Sequence, residues 1–540
     1  GIYVDGLALE GVQPSVLMEE SEFRENIAGR SFGALGAASY GGGMFVTDAS
    51  GAEIRNNSFL ANTAAGGGIE GYGGGLDLQH SPEVVVSGNM FKSNIANAQS
   101  TYQYKPGTPP RGQGGGAVIM TSRHAQVTDN LFEENIAALQ VAGEGGGLAG
   151  MTNSDATYSG NRFVRNMAAF QPTLHYSVDD FDTSSGGGFQ LSGGSNVTVT
   201  LNIFGENYSA FRTGFADQEY ALAGGLGIYQ INGALVTNNF FTANIACGDC
   251  EGYGGGVAVF GAFGGHTQPT AITLTANSLV DNAASLAGYG VGGGIYLYNL
   301  NHTIVQANRV ESNQASAENW GSGGGIGLSP YFRRAAQTAC QNVRLDGNVV
   351  TGNRATLDGG GILAWGPDQT VVANNVVAGN QAQHGAGVAY YGTAPEVDAP
   401  VGLLVNNTIV GNEGEAILVS RWLTSTVSVV NNIVVSQTVG VTRDDGSQVD
   451  LSYTLWHDNG VDVGEGITQT HGLSAPPGFV NAETGDYRPE VLSAAREAGD
   501  PAGVPPAPAV DIVGTARPVW MPARMLSTLL TSTPGGGEMT

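Results

Sequence analysis

Residues 236–244 read Val-Thr-Asn-Asn-Phe-Phe-Thr-Ala-Asn, and the triplet Gly254-Gly255-Gly256 follows, running into Val257-Ala258-Val259. The first stretch has the form Asn, any residue, an apolar residue, two residues of any kind, then Asn. It recurs in one register along the chain, and a repeat of this kind decides the fold before any other feature. The closing asparagine is present in twelve copies: Asn26, Asn62, Asn94, Asn135, Asn166, Asn207, Asn244, Asn282, Asn313, Asn353, Asn380 and Asn412.

The apolar position is Phe in the first seven copies and Leu, Val or Ile in the last five, and Ser21 replaces the first asparagine in the earliest copy. Each copy also holds short runs of alternating apolar residues, such as Ile295-Tyr296-Leu297, and none shows a helical period. The spacing between copies varies. A coil can lengthen its corners freely, whereas the blades of a propeller pair their strands by hairpins, so the variable spacing favours a coil. The pattern predicts an all-β fold: a single right-handed parallel β-helix of about 12 to 13 coils, with an irregular N-terminal turn and a C-terminal capping segment.

Successive rungs of such a coil lie about 4.8 Å apart, so side chains of the same type stack on one another. Stacked asparagine amides can donate to one neighbour and accept from the other, forming a ladder. The glycine triplets, such as Gly73 to Gly75 and Gly145 to Gly147, fit a corner that needs positive φ or close backbone approach. The commonest motif in the chain is therefore predicted to be architecture and to carry no chemistry.

The composition excludes several classes of function. At 540 residues the chain is too long for one globular core but ordinary for a solenoid. A formal net charge of −26 with two lysines, Lys92 and Lys105, predicts no binding of nucleic acid. No stretch approaches the roughly 20 apolar residues of a membrane span, so we expect no membrane insertion.

The cysteines and acidic residues give little sign of a cofactor. Cys247 and Cys250 could form a local disulfide in a corner loop, which would leave Cys340 free. A lone Cys-x-x-Cys lacks a second pair of ligands, so a metal or redox role is disfavoured. We predict no cofactor and no metal site, although the acidic run from Asp179 to Asp182 could hold calcium or could simply be solvated.

The chain divides into four parts. Residues 1–40 are predicted to form the first coil and cap, 41–440 the β-helix, 441–518 the last coils and a closing segment, and 519–540 a flexible tail. The opening Gly1-Ile2-Tyr3-Val4 predicts a strand rather than a signal peptide, so we expect a processed piece of a longer precursor.

Three insertions, after Asn94, Asn166 and Asn207, lengthen the same corner of the coil, so we expect them to project from one edge of the rod. Aromatic, proline and charged residues on loops of a rigid scaffold are typical of binding sites. The candidate ligand-binding residues here are Tyr102, Tyr104, Arg111, Tyr176, Asp179, Asp182, Phe211, Arg212 and Tyr220. A second set, around Phe263 and Arg333-Arg334, should project from a different edge.

The tetrapeptides Phe59-Leu60-Ala61-Asn62 and Phe132-Glu133-Glu134-Asn135, paired with Gly-Gly-apolar turns, are similar to the repeats of polymorphic outer membrane proteins, the β-helical passenger domains of bacterial surface adhesins. More broadly, the chain resembles right-handed parallel β-helix proteins shaped like pectate lyases. The segment from Gly485-Asp486-Tyr487 to Arg517-Pro518 looks like the closing element of secreted bacterial β-helix proteins. The resemblance implies a secreted or cell-surface bacterial protein. It does not fix an activity, because the same rod carries lyases, hydrolases, epimerases and adhesins.

An enzyme of this shape would need carboxylates repeated in one register in neighbouring coils. The strand after the glycines offers Asp77, and its expected equivalents are mostly apolar or small: Phe45, Ile119, Gln190, Ala258, Tyr296, Gly327 and Leu363. We therefore predict no catalytic residue and favour a non-catalytic, adhesin-like or structural protein that binds a glycan or a protein through its insertions. A subunit of a self-assembling extracellular filament, and a polysaccharide lyase or glycoside hydrolase, are the alternatives.

Overall fold

The computed structural model describes residues 1–6, 16–29, 38–66, 70–98, 111–171, 183–211, 220–261, 271–329, 340–366, 369–392, 401–420, 424–444, 446–496 and 498–499. These residues form a right-handed parallel β-helix, as predicted. Each full coil passes through five strands and a glycine corner, and every strand pairs in parallel with its equivalents in the coils before and after it. We number the five sheets I to V in the order in which the chain visits them.

Sheets I, II and III have fifteen strands each. The strands of sheet I are Ile2–Asp5, Met44–Thr47, Leu76–Gln79, Ala117–Met120, Leu148–Met151, Phe189–Ser192, Leu226–Tyr229, Val257–Phe260, Ile295–Tyr298, Ile326–Leu328, Ile362–Trp365, Val388–Tyr391, Glu415–Val419, Val439–Arg443 and Val461–Val463. Those of sheet II are Leu17–Glu19, Glu53–Arg55, Val85–Ser87, Gln126–Thr128, Thr157–Ser159, Ser195–Thr200, Asn232–Thr237, Ile272–Thr275, Ile304–Gln306, Arg344–Asp346, Thr370–Ala373, Val401–Val405, Thr426–Val430, Gln448–Ser452 and Gln469–Thr470. Those of sheet III are Glu22–Arg24, Ser58–Leu60, Met90–Lys92, Leu131–Glu133, Arg162–Val164, Ile203–Gly205, Phe240–Thr242, Ser278–Val280, Arg309–Glu311, Val349–Thr351, Val376–Ala378, Thr408–Val410, Ile433–Val435, Leu455–His457 and Leu473–Ser474.

Sheets IV and V have nine strands each and belong to the N-terminal part of the rod. The strands of sheet IV are Ile27–Gly29, Thr63–Ala65, Ile95–Asn97, Ile136–Ala138, Met167–Ala169, Tyr208–Ala210, Ile245–Cys247, Ala283–Ser285 and Gln314–Ser316. Those of sheet V are Ala38–Tyr40, Glu70–Tyr72, Arg111–Gln113, Ala142–Glu144, Thr183–Ser185, Tyr220–Leu222, Glu251–Tyr253, Gly290–Val291 and Gly321–Ser322. A 3₁₀ turn at Ala482–Thr484 and an antiparallel pair, Phe479–Asn481 with Asp486–Pro489, follow the last coil.

The long sheets have fifteen strands, two or three more than the predicted number of coils. The prediction counted copies of the repeat, and the outermost coils add strands to these sheets without containing the full repeat. Sheets I, II and III enclose one continuous apolar core, built from inward side chains such as Met44, Ile54 and Phe59. The core includes a stack of seven phenylalanine rings, from Phe23 to Phe241, with successive centroids 4.6 to 4.9 Å apart.

Two asparagine ladders mark the corners on either side of sheet III, which confirms the predicted stacking. The ladder between sheets III and IV includes Asn166, whose Nδ2 donates to Asn207 Oδ1 at 3.0 Å and to the Phe132 carbonyl at 2.8 Å. The ladder between sheets II and III runs in the same way from Asn57 to Asn432. Because each buried amide group has partners in neighbouring rungs, the ladders fix the register of the coil at little cost in unmet polar groups.

Sheets IV and V pack directly on each other and form a thin fin beside the three-sheet core. Their inward residues are glycine, alanine and serine, so the two backbones approach closely. A Cβ added to Gly112 would lie 1.9 Å from the carbonyl oxygen of Ala137. The glycine triplets join the fin to sheet I, and Gly74 is tightly enclosed there, since a Cβ would lie 2.2 Å from the Gly115 carbonyl oxygen.

Candidate functional site

The outward faces of sheets V and I meet at an interior angle and form a groove along the rod. Side chains touch across this angle: the Tyr40 and Phe45 rings lie 5.3 Å apart, and the Tyr253 and Tyr296 rings 5.0 Å apart. Residues at the bottom of the groove, such as Tyr296, are buried although they point away from the main core. The groove floor consists of the last residue of each sheet V strand and the second residue of each sheet I strand.

The described residues on either side of each insertion lie at the edges of this groove. Residues 99–110, 172–182 and 212–219 each connect a strand of sheet IV to the next strand of sheet V. The chain therefore leaves and re-enters the helix at the outer edge of the fin, which confirms that the three share one register. Residues 262–270 and 330–339 connect sheet I to sheet II, at the opposite side of the groove. The two sets are therefore attached at different edges of the rod, and those edges flank the same face.

The middle of the groove is polar. Gln113 Nε2 donates to Glu144 Oε2 at 3.0 Å, while the buried Gln113 Oε1 has no hydrogen-bond partner among the described residues. One coil further on, the Ser185 hydroxyl donates to Gln190 Oε1. The Gln190 side chain lies over Gly227, where a Cβ would come within 2.0 Å of Gln190 Oε1. This section therefore holds amide, carboxylate and hydroxyl groups, of which the Glu144 carboxylate is partly exposed.

Asp77 lies in the floor on the N-terminal side of the polar section and has no exposed surface. Gln79 Nε2 contacts its Oδ1 at 3.3 Å and its Oδ2 at 3.0 Å. Burial raises the pKa of Asp77 from 3.8 to about 8, opposed only in part by this hydrogen bond. The carboxyl group is therefore mainly protonated at neutral pH, unlike an ordinary aspartate.

Neighbouring tyrosines also have perturbed acidity. Burial raises the pKa of Tyr72, and the nearby Glu70, which accepts a hydrogen bond from its hydroxyl at 3.1 Å, raises it further. Burial likewise raises the pKa of Tyr229, with Glu144 adding to the effect and Arg111 opposing it. These phenols are neutral donors at every physiological pH.

The C-terminal half of the groove is aromatic and apolar. A second hydrophobic cluster, separate from the main core, fills the angle between the two sheets, and its buried aromatic members are Tyr253, Phe260, Tyr296, Tyr298 and Tyr391. Tyr220, Tyr229 and Trp365 pack against it from the more exposed side. The groove thus changes along its length from hydrogen-bonding groups to aromatic rings.

Three of the nine predicted ligand-binding residues lie in the described part of the chain. Arg111 and Tyr220 are both first residues of sheet V strands and face the groove, three strands apart, which is about 14 Å at the rung spacing. Arg111 Nη1 lies 3.7 Å from Glu144 Oε1. Phe211 follows a sheet IV strand and stacks on Phe170, with ring centroids 5.8 Å apart, so it belongs to the edge of the fin. The other six, Tyr102, Tyr104, Tyr176, Asp179, Asp182 and Arg212, lie outside the described residues, as does the possible calcium site.

One predicted equivalence was wrong. Asp77 pairs with Val118, while Ile119 pairs with Leu78 and faces the core, because a shift of one residue in a strand moves a side chain to the opposite face. Gln113 and Glu144 were not among the predicted site residues. Each immediately precedes a glycine triplet, and that position marks the groove floor in every full coil, so the signal was present in the sequence.

The sequence left open whether Cys247 and Cys250 are joined, and the structure has a disulfide between them, with Cα atoms 5.5 Å apart. Cys340 is free and buried, and burial raises the pKa of its thiol to about 12. Both findings agree with the structural role expected for the cysteines. Among the described residues, no helix is long and apolar enough to span a membrane.

Comparisons with known proteins agree with the fold. A family model described as a right-handed β-helix region matches residues 5–259, and one described as periplasmic copper-binding protein (NosD) matches residues 275–464. No curated protein matches the chain.

Several solved structures are similar in fold. The periplasmic alginate epimerase AlgG is 11% identical over 75% of both chains, with a TM-score of 0.38. A PL6 alginate lyase in complex with a trisaccharide is 11% identical over 89% of both chains, with a TM-score of 0.41. The tailspike of E. coli bacteriophage HK620 in complex with a pentasaccharide is 14% identical over 85% of this chain and 72% of the tailspike, with a TM-score of 0.39. Similarity at this level does not indicate a ligand or an activity for this chain.

The copper named in the second family description finds no matching ligand set in the described part of residues 275–464. The described part of the chain holds no group of three or more His, Cys, Asp or Glu side chains that could bind a metal ion. The described histidines of residues 275–464, which are His302, His384 and His457, lie on separate coils, and Cys340 is a protonated thiol inside the core. The described residues of this region therefore do not fit a copper centre.

Proposed function

We propose that this β-helix is a secreted or cell-envelope protein that binds a glycan chain in the groove between sheets V and I. The observation that carries the proposal is the position of the groove: the two corners at which the coil is lengthened stand on either side of it. A straight groove whose rungs repeat about every 4.8 Å suits an extended polymer with a short repeat.

The walls of the groove favour a glycan over a peptide strand. They are faces of continuous parallel sheets, in which backbone groups already bond from rung to rung. A peptide that binds by strand addition needs a free sheet edge, which the groove walls do not offer. Recognition there depends on side chains, and amides, carboxylates and aromatic rings are groups that hydrogen-bond and stack with sugars.

The direct test is binding of the full chain to a panel of immobilised polysaccharides, with Arg111→Ala and Glu144→Gln as groove variants. Arg162→Ala is the matched control, because Arg162 is an exposed residue on the outer face of sheet III. We expect the groove variants to weaken binding at least fivefold and the control to bind like the wild type. Binding that survives both groove variants and the combined deletion of residues 100–110 and 172–182 would contradict the proposal.

Asp77 favours a second candidate function, cleavage of the bound glycan. The Asp77 carboxyl group is protonated at neutral pH but has no exposed surface. It would act as the general acid that a polysaccharide lyase or glycoside hydrolase needs once a bound glycan displaced the side chains that bury it. Incubation with each bound polysaccharide, followed by assays for new reducing ends and for unsaturated ends, tests this candidate. Cleavage by the wild type that is lost in Asp77→Asn would establish this second function. Intact polysaccharide after prolonged incubation would leave binding as the one remaining function of the groove.

A further inference from the structure

The outer wall of the groove carries one row of side chains, the first residues of the sheet V strands and their continuation. We call it the lip row, and its members in order are Glu70, Arg111, Ala142, Thr183, Tyr220, Glu251, Tyr289 and Trp320. Successive members lie on successive coils. The lip row is therefore the part of the groove that a ligand lying along the rod would meet on its open side.

The C-terminal end of the lip row presents two exposed aromatic rings on adjacent coils. Tyr289 is 43% exposed and Trp320 65% exposed, and their ring centroids lie 5.7 Å apart. The backbone beneath them is fixed: the Trp320 N–H donates to Asn319 Oδ1 at 2.8 Å, and the Trp320 carbonyl accepts from the Gly290 N–H at 3.0 Å. The ring planes are inclined at 69°, an edge-to-face contact, so each ring has its own face on which a sugar can stack. Two large exposed rings on a fixed backbone are typical of a contact site rather than of a core.

The charged side chains along the groove restrict which class of ligand can bind in it. In the described strands of sheets I and V up to Tyr391, Arg111 is the one basic side chain, and it already faces Glu144. The same strands carry Glu70, Glu144 and Glu251. The described strands of the groove therefore carry a net negative charge between Glu70 and Glu251. They would repel an anionic chain there, most strongly where side chains are half-buried and salt screens them poorly.

We infer that the ligand is an uncharged glycan, without carboxylate or sulfate groups, and that Tyr289 and Trp320 form a subsite on which its sugar rings stack. The inference rests on the proposed function and adds to it the class of ligand and the place of the subsite. The C–H face of a sugar ring carries partial positive charge and meets the negative face of an aromatic ring favourably. Stacking of this kind needs no charged group on either partner.

The test uses the full chain with two uncharged polysaccharides, galactomannan and laminarin, and two anionic ones, alginate and polygalacturonate. The variants are Trp320→Ala and Tyr289→Ala. Phe240→Ala is the matched control, because Phe240 is a 40% exposed aromatic residue on the outer face of sheet III.

We expect an uncharged polysaccharide to bind, its affinity to change less than twofold between low and high salt, and Trp320→Ala to weaken it at least tenfold with no effect of Phe240→Ala. Preference for an anionic polysaccharide, steep salt dependence, or equal behaviour of the Trp320 and Phe240 variants would overturn the inference. Those outcomes leave the proposed function standing, provided that Glu144→Gln still weakens binding. If none of the four polysaccharides binds, both this inference and the glycan-binding proposal fail for these ligand classes.

Discussion

Asp77 combines full burial, a single side-chain partner and a position in the groove floor. A buried carboxyl group is tolerated there because it takes the neutral form, which raises its pKa from 3.8 to about 8. The folded chain thus binds this proton more tightly than the unfolded chain. By linkage, the contribution of Asp77 to stability is greatest at low pH and is lost as the pH rises from about 4 through about 8.

Asp77→Asn removes this titration while keeping the shape and the hydrogen bond to Gln79. We expect the variant to be more stable than the wild type above pH 8 and similar to it near pH 4. The difference should approach roughly 6 kcal/mol at high pH, the free-energy equivalent of the shift in pKa. Urea midpoints at a series of pH values measure it. Asp129→Asn, at an exposed corner, is the control, and equal pH profiles for wild type and Asp77→Asn would show that the buried proton is absent.

At the scale of elements, the asparagine ladder should act as a single structural unit. Asn166→Ala removes two donated hydrogen bonds and also the acceptor for the Asn135 backbone N–H and Nδ2, which lie 3.1 and 2.9 Å from Asn166 Oδ1. Leaving buried donors unpaired costs about 3 kcal/mol or more. Thermal unfolding should show a large drop in Tm for this variant.

The same change at Asn26, the first rung, should cost less than about 1 kcal/mol, because this residue is half-buried and water can replace its partners. Equal Tm shifts for the two variants would therefore contradict the hydrogen-bonding account.

The fin provides a second prediction at this scale. In Gly112→Ala the new methyl group would collide with the Ala137 carbonyl, so we expect sheets IV and V to separate locally. Hydrogen exchange should rise in residues 111–113 and 136–138 while the three-sheet core stays protected. Gly205→Ala is the control, since its Cβ would meet nothing closer than 3.8 Å. Unchanged exchange in Gly112→Ala would mean that the two sheets are not in backbone contact.

The sequence predicted the positions of the structural elements better than it predicted which face of a strand each side chain occupies. The repeat register located the ladders, the phenylalanine stack and the glycine corners, because stacking of like residues is a property of the repeat itself. It placed Ile119 on the wrong face, since the side-chain period of a strand is two and an error of one residue reverses it. The fin could not be predicted from apolar pattern, because sheets IV and V bury glycine, alanine and serine rather than large side chains.

At the scale of the whole molecule, the positions at which the insertions are attached agree with the position of the groove. The sequence showed two sets of insertions at two corners, and it could not show that these corners flank one concave face, because that depends on the angle between sheets V and I. Arg111 and Tyr220 were predicted as ligand-binding residues and do face the groove. Gln113 and Glu144 were not predicted although each precedes a glycine triplet, because their place in the groove depends on neighbours on other coils.

A structure of the chain with an oligosaccharide from the polysaccharide it binds most tightly would test the central claim most directly. The account predicts sugar rings along the groove between sheets V and I, from the polar section around Gln113 and Gln190 to Trp320. Sugar bound instead on the outer faces of sheets II or III, or on the sheet IV side of the fin, would contradict it.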